Sequence, residues 1–286
     1  MKIGAALRET ARRLEDVGGS GRFDAALLLE HVTGAARASF IADDARELTA
    51  DESAALERVV ERRLAGTPIA YIIGTAGFYG RTLEVDERVL VPRPETEHLV
   101  EAALTDLRAR GALAGRLADI GTGSGAIAIA LAIALPDAWV FGTDVSHEAI
   151  ALARHNAARN NVFQECTFLH GDLAEPLRRF APFDALLANL PYVPAADVPQ
   201  APDPVSFEPR LALDGGPDGL ALYRRLIAEL PGLLAPQACV LFEAAPGTIE
   251  PLAALVEAAF PGCEVTIGRD YGGRERFVRF TPGMPG

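Results

Sequence analysis

From about residue 116 onward, short apolar segments alternate with segments of helical periodicity. The segments that have the length and composition of strands lie at 116–120, 139–144, 167–170, 183–187, 240–243, 264–267 and 276–280. Such alternation predicts an α/β fold with a mostly parallel sheet between helices. The last two segments are joined only by residues 270–274, which are too few for a parallel crossover. We therefore expect the final strand to be antiparallel.

The first 68 residues have a different pattern. Apolar positions recur at helical spacing within 3–17, 22–34 and 51–65, and Thr49 or Asp51 can cap the third helix. Because none of these helices carries a catalytic constellation, we expect residues 1–68 to form a small all-α domain for packing or partner recognition.

Residues 69–92 contain short runs rich in aromatic and β-branched side chains. These runs lie at 71–74, 78–80, 81–85 and 89–91, with turn residues between them. They predict short strands in a β-hairpin linker, which leaves 93–286 for the α/β domain.

Composition limits the classes of protein that need to be considered. The chain has 286 residues, of which 49% are hydrophobic, enough for two domains. The apolar run at 126–135 is too short to cross a bilayer, and the first residues are too charged for a secretory signal, so we expect a cytoplasmic protein. The three cysteines and five histidines show no ligand spacing, so no metal is expected. A net charge of −12 disfavours binding to nucleic acid.

A glycine-rich turn follows the first strand of the α/β region. The segment Asp119-Ile-Gly-Thr-Gly-Ser-Gly125 closes that strand and opens a helix, and its glycines let a ligand approach the backbone closely. Asp144 ends the next strand, where a carboxylate can accept hydrogen bonds from ribose hydroxyls. Asp144 could instead act only as a carboxylate at the start of the helix that follows it. On this turn alone, a dehydrogenase and a methyltransferase both remain possible.

Further residues favour a methyltransferase. Gly125 adds a glycine within the turn, and Asp172 follows the third strand, where an acid can meet the amino group of adenine. The turn and Asp144 then suit S-adenosylmethionine. The residues predicted to bind this cofactor are Asp119, Gly121, Thr122, Gly123, Ser124, Gly125, Asp144, Asp172, Leu173 and Asn189.

The segment Asn189-Leu190-Pro191-Tyr192 follows the fourth strand, at the edge where open α/β sheets bind ligands. The amide oxygen of Asn189 and the carbonyl of Leu190 can each accept one N–H, Pro191 restricts the turn, and Tyr192 can stack on a planar group. The segment predicts a catalytic receptor for an amide or an aminopurine. The alternative is an ordinary loop that contains a proline.

With these residues, the chain resembles the protein-(glutamine-N5) methyltransferases of peptide-chain release factors, the HemK/PrmC family. The likeness covers almost the whole chain, and its most specific parts are Pro-Arg-Pro-Glu-Thr-Glu at 92–97 and Glu-Pro-Arg-Leu-Ala-Leu at 208–213. Other matching segments lie at 24–29, 62–74, 78–80, 119–125, 214–220 and 269–276.

This resemblance implies a class I, Rossmann-like methyltransferase fold, with a seven-stranded mostly parallel sheet, an antiparallel last strand and a small all-α domain in front of it. It also implies S-adenosylmethionine as cofactor and a class I release factor as protein substrate. The methyl group would go to the glutamine of the factor's Gly-Gly-Gln motif, and the helical domain would help to hold the factor.

The sequence departs from the family pattern at two places. Leu190 stands where the family usually has proline, and Asn-Leu-Pro-Tyr is also similar to the motif of RNA adenine-N6 dimethyltransferases. An adenine-N6 methyltransferase acting on RNA or DNA is therefore an alternative, although it leaves residues 92–97 unexplained. A non-catalytic adaptor is a third. After Glu243 the family tends to have glycine and then glutamine, so no role is assigned to the loop 243–248.

Overall fold

The structure is a computed structural model that describes residues 1–17, 20–42, 44–200 and 203–282. The described chain forms two compact units. The first consists of Met1–Thr75 and Pro199–Phe207, and the second of Ala76–Val198 and Glu208–Gly286. No helix in the described ranges is both long enough and apolar enough to span a lipid bilayer.

The first unit is helical. Its helices are α1 (Ile3–Arg13), α2 (Gly21–Thr33), α3 (Ser39–Ala42), α4 (Ala50–Leu64) and α5 (Ile69–Ile73). The three helices predicted from periodicity are confirmed, although α1 ends four residues before the expected boundary. Thr49 caps α4 as expected: its hydroxyl accepts the Glu52 backbone N–H at 3.1 Å, and the Glu52 carboxylate accepts the Thr49 N–H at 2.8 Å.

The strand predicted at residues 71–74 is wrong, because this segment lies in α5 and at its end. A short apolar run is compatible with either a strand or one turn of buried helix, and tertiary packing decides between them. Here Ile72 is buried in the core of the helical unit. The segment at 89–91 is also not a strand.

A buried ion pair connects two helices of the first unit. The Arg63 guanidinium donates to the Asp24 carboxylate at 2.8 Å, and both side chains are less than a tenth exposed. Arg63 also donates to the carbonyls of Val17 and Thr67. Removal of either charge would leave its partner buried without compensation, so the pair fixes how α2 and α4 pack.

The second unit begins with a two-stranded sheet of β1 (Thr75–Phe78) and β2 (Arg81–Glu84). The remaining strands are β3 (Arg116–Ile120), β4 (Trp139–Asp144), β5 (Cys166–His170), β6 (Phe183–Ala188), β7 (Leu234–Glu243), β8 (Glu264–Arg269) and β9 (Glu275–Thr281). The helices are α6 (Thr96–Ala109), α7 (Ala126–Ala134), α8 (His147–Arg159), α9 (Ala221–Glu229) and α10 (Ile249–Ala259).

In the described residues, the large sheet has seven strands in the order β5-β4-β3-β6-β7-β9-β8. Strands β3 to β7 pair in parallel, whereas β9 is antiparallel to both β7 and β8. The seven strands predicted for the α/β domain and the reversed last strand are confirmed. The strand order reverses between β3 and β6, and ligands bind at such a switch point in open α/β sheets.

The large sheet is buried on both faces. Successive residues of β6 alternate between two cores: Leu187 contributes to the core under α6, α7 and α8, and Leu186 to the core under α9 and α10. Helix α7 has seven buried residues among the nine in its span. These two cores fix the carboxyl ends of β3, β4 and β6 side by side.

Candidate active site

The glycine turn after β3 is attached to the neighbouring strand β4. The backbone N–H groups of Gly121 and Thr122 donate to the Thr143 carbonyl at 2.9 and 2.8 Å. Gly121 has a φ of 74°, and an added Cβ there would lie 2.9 Å from Leu190 Cδ2. A side chain at 121 would be strained by this φ and would push the Leu190 side chain aside, so glycine is favoured here.

Asp119 lies under this turn and is completely buried. Its Oδ2 accepts from the Thr122 hydroxyl at 2.6 Å and from the Ala128 N–H at 3.2 Å, and its Oδ1 has no partner in the described residues. Burial raises the pKa of Asp119 to about 7, although the two hydrogen bonds oppose that rise. Asp119 therefore connects the turn to the start of α7.

Asp144 ends β4 and faces the glycine turn. Its Oδ2 accepts the Gly123 N–H at 3.0 Å, and its Oδ1 accepts the Ser146 N–H at 2.8 Å. The side-chain cap of α8 is Ser146, whose hydroxyl accepts the Ala149 N–H at 3.2 Å. Burial raises the pKa of Asp144, while these N–H donors lower it. Its carboxylate oxygens retain lone pairs that can accept further hydrogen bonds.

The segment after β5 contributes Asp172 and Leu173. Asp172 is half-exposed and forms an ion pair with Arg225. Leu173 has a φ of 45°, and its carbonyl accepts the Thr143 hydroxyl at 2.8 Å. This bond ties the end of β4 to the chain after β5.

The turn after β6 is held by groups far away in the sequence. The Asn189 amide Nδ2 donates to the Thr96 hydroxyl at 3.0 Å. The Leu190 N–H donates to the Tyr223 hydroxyl at 3.2 Å, and that hydroxyl donates to the Glu243 carbonyl. Tyr223 is fully buried in α9, so it bonds the ends of β6 and β7 to one another.

The chain at 213–219 packs directly behind Pro191 and Tyr192. The Val193 N–H donates to the Leu213 carbonyl at 3.0 Å, and the Gly215 N–H donates to the Val193 carbonyl at 2.8 Å. A Cβ added at Gly219 would lie 2.3 Å from the Tyr192 carbonyl oxygen. Burial raises the pKa of Tyr192 to about 12, so its phenol is neutral at pH 7.

The two most specific sequence segments, 92–97 and 208–213, are in contact. The Arg93 guanidinium lies 2.5 Å from Glu208 Oε1, and the Val91 N–H donates to Glu208 Oε2 at 3.1 Å. Glu208 is buried, so the carboxylate of this ion pair is shielded from solvent. The Glu97 carboxylate accepts the Tyr79 N–H at 2.8 Å and fixes the start of α6 on the small sheet.

These turns enclose a cavity of about 460 Å³, a size typical of cofactor sites. The predicted site residues that line it are Gly121, Thr122, Gly123, Ser124, Asp144, Asp172, Leu173, Asn189, Leu190 and Pro191. Arg93, Thr96, Pro209 and Leu211 also line it. Of the predicted residues, Asp119, Gly125 and Tyr192 are not among the described lining residues.

Three residues that hold this site were not predicted as part of it, namely Thr96, Tyr223 and Glu243. In the sequence, Thr96 stands out only as part of the segment 92–97, and Glu243 only as the end of the strand at 240–243. Tyr223 lies in a helix without any local motif. Their contacts arise from sequence separations of 20 to 93 residues, which no local pattern reports.

The cavity fits S-adenosylmethionine in its chemistry. The glycine turn has no room for a side chain at Gly121, and the Asp144 carboxylate offers acceptors suited to ribose hydroxyls. No group of histidine, cysteine, aspartate or glutamate side chains in the described residues could hold a metal ion.

The strand order, the reversed β9 and the glycine turn at the switch point define a class I methyltransferase fold. A solved structure of ribosomal protein L11 methylase from Lactobacillus delbrueckii subsp. bulgaricus shares this fold, with a TM-score of 0.51 and 19% identity over 70% of this chain and 84% of that one.

Sequence comparison adds the family. Residues 5–74 match the PrmC N-terminal domain and residues 96–201 match the methyltransferase small domain. The release factor glutamine methyltransferase of Deinococcus radiodurans is 40% identical over 98% of both chains, and that of Bacillus anthracis is 37% identical over 97% of this chain and 98% of its own. The chain belongs to the family of release factor glutamine methyltransferases.

Proposed function

We propose that this protein transfers a methyl group from S-adenosylmethionine to the side-chain N5 of the glutamine in the Gly-Gly-Gln motif of class I peptide-chain release factors. The observation that carries the proposal is the position of Asn189 and Leu190 on the wall of the cavity that the glycine turn also lines. The names of the relatives state methylation of a release factor glutamine.

The cofactor would be held by residues from three strand ends. The turn Gly121–Gly125 would contact its methionine part, Asp144 would accept from the ribose hydroxyls, and Asp172 with Leu173 would lie beside the adenine. When bound, S-adenosylmethionine supplies a methyl group already activated by the positive sulfur. Asp119 would support the turn from below, through Thr122.

The second requirement is to orient the glutamine amide. An amide nitrogen is a poor nucleophile because its lone pair is delocalised into the carbonyl. The Asn189 side-chain oxygen and the Leu190 carbonyl would accept the two amide hydrogens and favour the pyramidal nitrogen that exposes the lone pair. Pro191 would restrict the turn, and Tyr192 would shape the wall of the amide pocket. Because no strong base is placed at this turn, the proton would leave to water after transfer.

The helical unit would take part in recognising the release factor, whose body is much larger than one glutamine side chain. We assign this role to the N-terminal helical domain, residues 1–68, followed by a linker at 69–92 and the methyltransferase domain at 93–286. Because translation termination takes place in the cytoplasm, the protein would act there.

The proposal is tested by incubating the purified protein with methyl-labelled S-adenosylmethionine and a class I release factor. Parallel reactions contain the factor with its Gly-Gly-Gln glutamine changed to alanine, or ribosomal RNA. Label on the intact factor alone is expected. Label on RNA would establish the adenine-N6 alternative, and the absence of any methyl transfer would leave the non-catalytic adaptor.

The role of Asn189 is tested separately with Asn189→Ala. Loss of one oriented acceptor is expected to lower kcat roughly 100-fold, with S-adenosylmethionine still bound. Nearly full turnover in this variant, with unchanged cofactor binding, would show that the amide is oriented by other groups.

A further inference from the structure

A buried carboxyl lies next to the turn that carries Asn189. Strands β6 and β7 pair in parallel with Ala188 opposite Phe242, so Asn189 and Glu243 follow at adjacent strand ends. Thr96, the first residue of α6, lies at the same edge. Thr96 and Glu243 are 4% and 3% exposed, so water has little access to either side chain.

A row of polar groups runs from the cavity to this carboxyl. The Asn189 Nδ2 donates to the Thr96 hydroxyl at 3.0 Å. The Thr96 side chain lies in turn beside the Glu243 carboxyl, whose pKa it lowers. Glu243 Oε2 is buried and has no hydrogen-bond partner among the described residues. A buried carboxyl that is not fully paired is costly, so its retention at this position suggests a use.

The direction of these hydrogen bonds follows from the donors available. A hydroxyl has one hydrogen, and an ionised carboxylate only accepts. A Thr96 hydroxyl that gives its hydrogen to Glu243 can only accept from Asn189, which is the direction of the Asn189–Thr96 bond in the structure. The Asn189 amide then turns its NH₂ group toward Thr96, and its oxygen is left to face the cavity.

We infer that Thr96 and Glu243 are positioning residues that fix the orientation of the Asn189 amide, so that its oxygen rather than its NH₂ group meets the substrate. This inference rests on the proposed function, in which Asn189 must act as an acceptor. With the amide reversed, its NH₂ group would face the NH₂ group of the glutamine, and two donors cannot bond to each other.

Protonation of Glu243 removes this constraint. A carboxylic acid can donate to Thr96, which frees the Thr96 hydroxyl to donate to the Asn189 oxygen and so stabilises the reversed amide. Burial raises the pKa of Glu243 to about 7, and the charge of Glu95 adds to the rise. The Thr96 hydrogen bond and the charges of Arg276 and Arg93 lower the pKa. Tyr192 and Tyr223 also face Glu243 but stay neutral, because burial raises the pKa of both.

The first test measures kcat between pH 5.5 and 8.5 for the wild type, Thr96→Val, Thr96→Ser and Glu243→Gln. The wild type should lose activity as the pH falls through about 7. Thr96→Val and Glu243→Gln should lower kcat about tenfold, the effect of one hydrogen bond, and should abolish this acid limb. Thr96→Ser should restore both the rate and the limb. Glu264→Gln, the same change at an exposed position of β8, is the matched control and should behave as wild type.

Binding of S-adenosylmethionine and the melting temperature of each variant show whether a loss of rate reflects misfolding. A double variant, Thr96→Val with Glu243→Gln, should be no slower than the slower single variant, because both changes break one chain of hydrogen bonds. Losses that multiply, or an acid limb that persists in Glu243→Gln, would overturn the inference.

A second readout does not depend on methyl transfer. In protein labelled with ¹⁵N at asparagine side chains, the NH₂ signal of Asn189, assigned from its disappearance in Asn189→Ala, should shift with pH with a midpoint near 7. The shift should vanish in Thr96→Val. A pH-independent signal in the wild type would overturn the inference whatever the enzyme methylates. A correct shift with no label on the release factor would instead refute the proposed function alone.

Discussion

The Tyr223 hydroxyl contacts three backbone groups of the site, namely the Leu190 N–H and the carbonyls of Glu243 and Ala188. Its hydroxyl accepts the Leu190 N–H and donates to the Glu243 carbonyl, and it is fully buried. A proline at position 190 has no N–H to give to this hydroxyl. Leu190 therefore supplies a hydrogen bond in addition to the carbonyl that the sequence led us to expect.

Replacement of Tyr223 by phenylalanine should lower the free energy of unfolding by roughly 1–3 kcal/mol, because it leaves two buried backbone groups without a partner. The measurement is urea unfolding. Tyr271→Phe is the matched control, since Tyr271 is 88% exposed and bonds only to Glu101 among the described residues. Its effect should stay within about 0.5 kcal/mol. Equal losses in the two variants would contradict the role assigned to Tyr223.

At the scale of elements, close contact between loops determines the shape of the site. The chain at 213–219 passes so near Tyr192 that a side chain at Gly219 does not fit. Gly219 also has a φ of 76°, which disfavours other residues independently of contact. These two constraints can be separated, because Gly232 has a φ of 80° but open space around its Cβ position.

Gly232→Ala should therefore cost only the backbone strain of about 1–2 kcal/mol. Gly219→Ala should cost that strain and roughly 1–3 kcal/mol more for the overlap with Tyr192. Under the proposed function, in which Tyr192 would shape the amide pocket, it should also slow methyl transfer. Chemical unfolding and kcat together measure these effects. If Gly219→Ala lowered the free energy of unfolding and kcat no more than Gly232→Ala does, the close approach of Gly219 to Tyr192 would contribute nothing to stability or rate.

The sequence predicted the elements whose signal is local. The large sheet is predictable because each buried strand is a short apolar run bounded by turn residues. Thr49 is one of the two candidate caps, with Asp51, because it lies just before the helical pattern, and its capping partner Glu52 is found only in the structure. The segment at 71–74 was predicted wrongly, because an apolar run of this length fits a strand and a helix equally. The glycine turn and the Asn189 turn were also foreseen, each from residues adjacent in sequence. The residues that hold these turns, Thr96, Tyr223 and Glu243, could not be predicted, because they are distant in sequence and contact the turns only in the folded chain.

At the scale of the whole molecule, two buried acids oppose folding at neutral pH. Burial raises the pKa of Asp119 from 3.8 and that of Glu243 from 4.5, in each case to about 7. Between those values the folded protein binds more protons than the unfolded chain, so its stability decreases as the pH increases. This decrease in stability is complete once the pH is above the pKa of both acids in the folded protein.

The free energy of unfolding of the cofactor-free protein should thus fall from pH 5 to pH 7 and level off above pH 8. Carboxyls with a lowered pKa, such as Asp218 with a pKa of about 2, change the stability only below pH 5. Urea unfolding at several pH values measures the slope. Glu243→Gln should make it shallower, whereas the exposed change Glu264→Gln should leave it unaltered. A stability that is constant from pH 5 to pH 8 would contradict the protonation assigned to both acids.

The contact between Gly121 and Leu190 makes the two halves of the cavity mechanically dependent. An added Cβ at Gly121 would lie only 2.9 Å from Leu190 Cδ2, so the Gly121 backbone and the Leu190 side chain are close neighbours. Under the proposed function, a cofactor that orders the first turn would also restrict the second, where the glutamine would bind. Thermodynamic linkage then requires the two effects to be equal. If bound cofactor raises the affinity for a glutamine peptide by some factor, bound peptide must raise the affinity for the cofactor by the same factor.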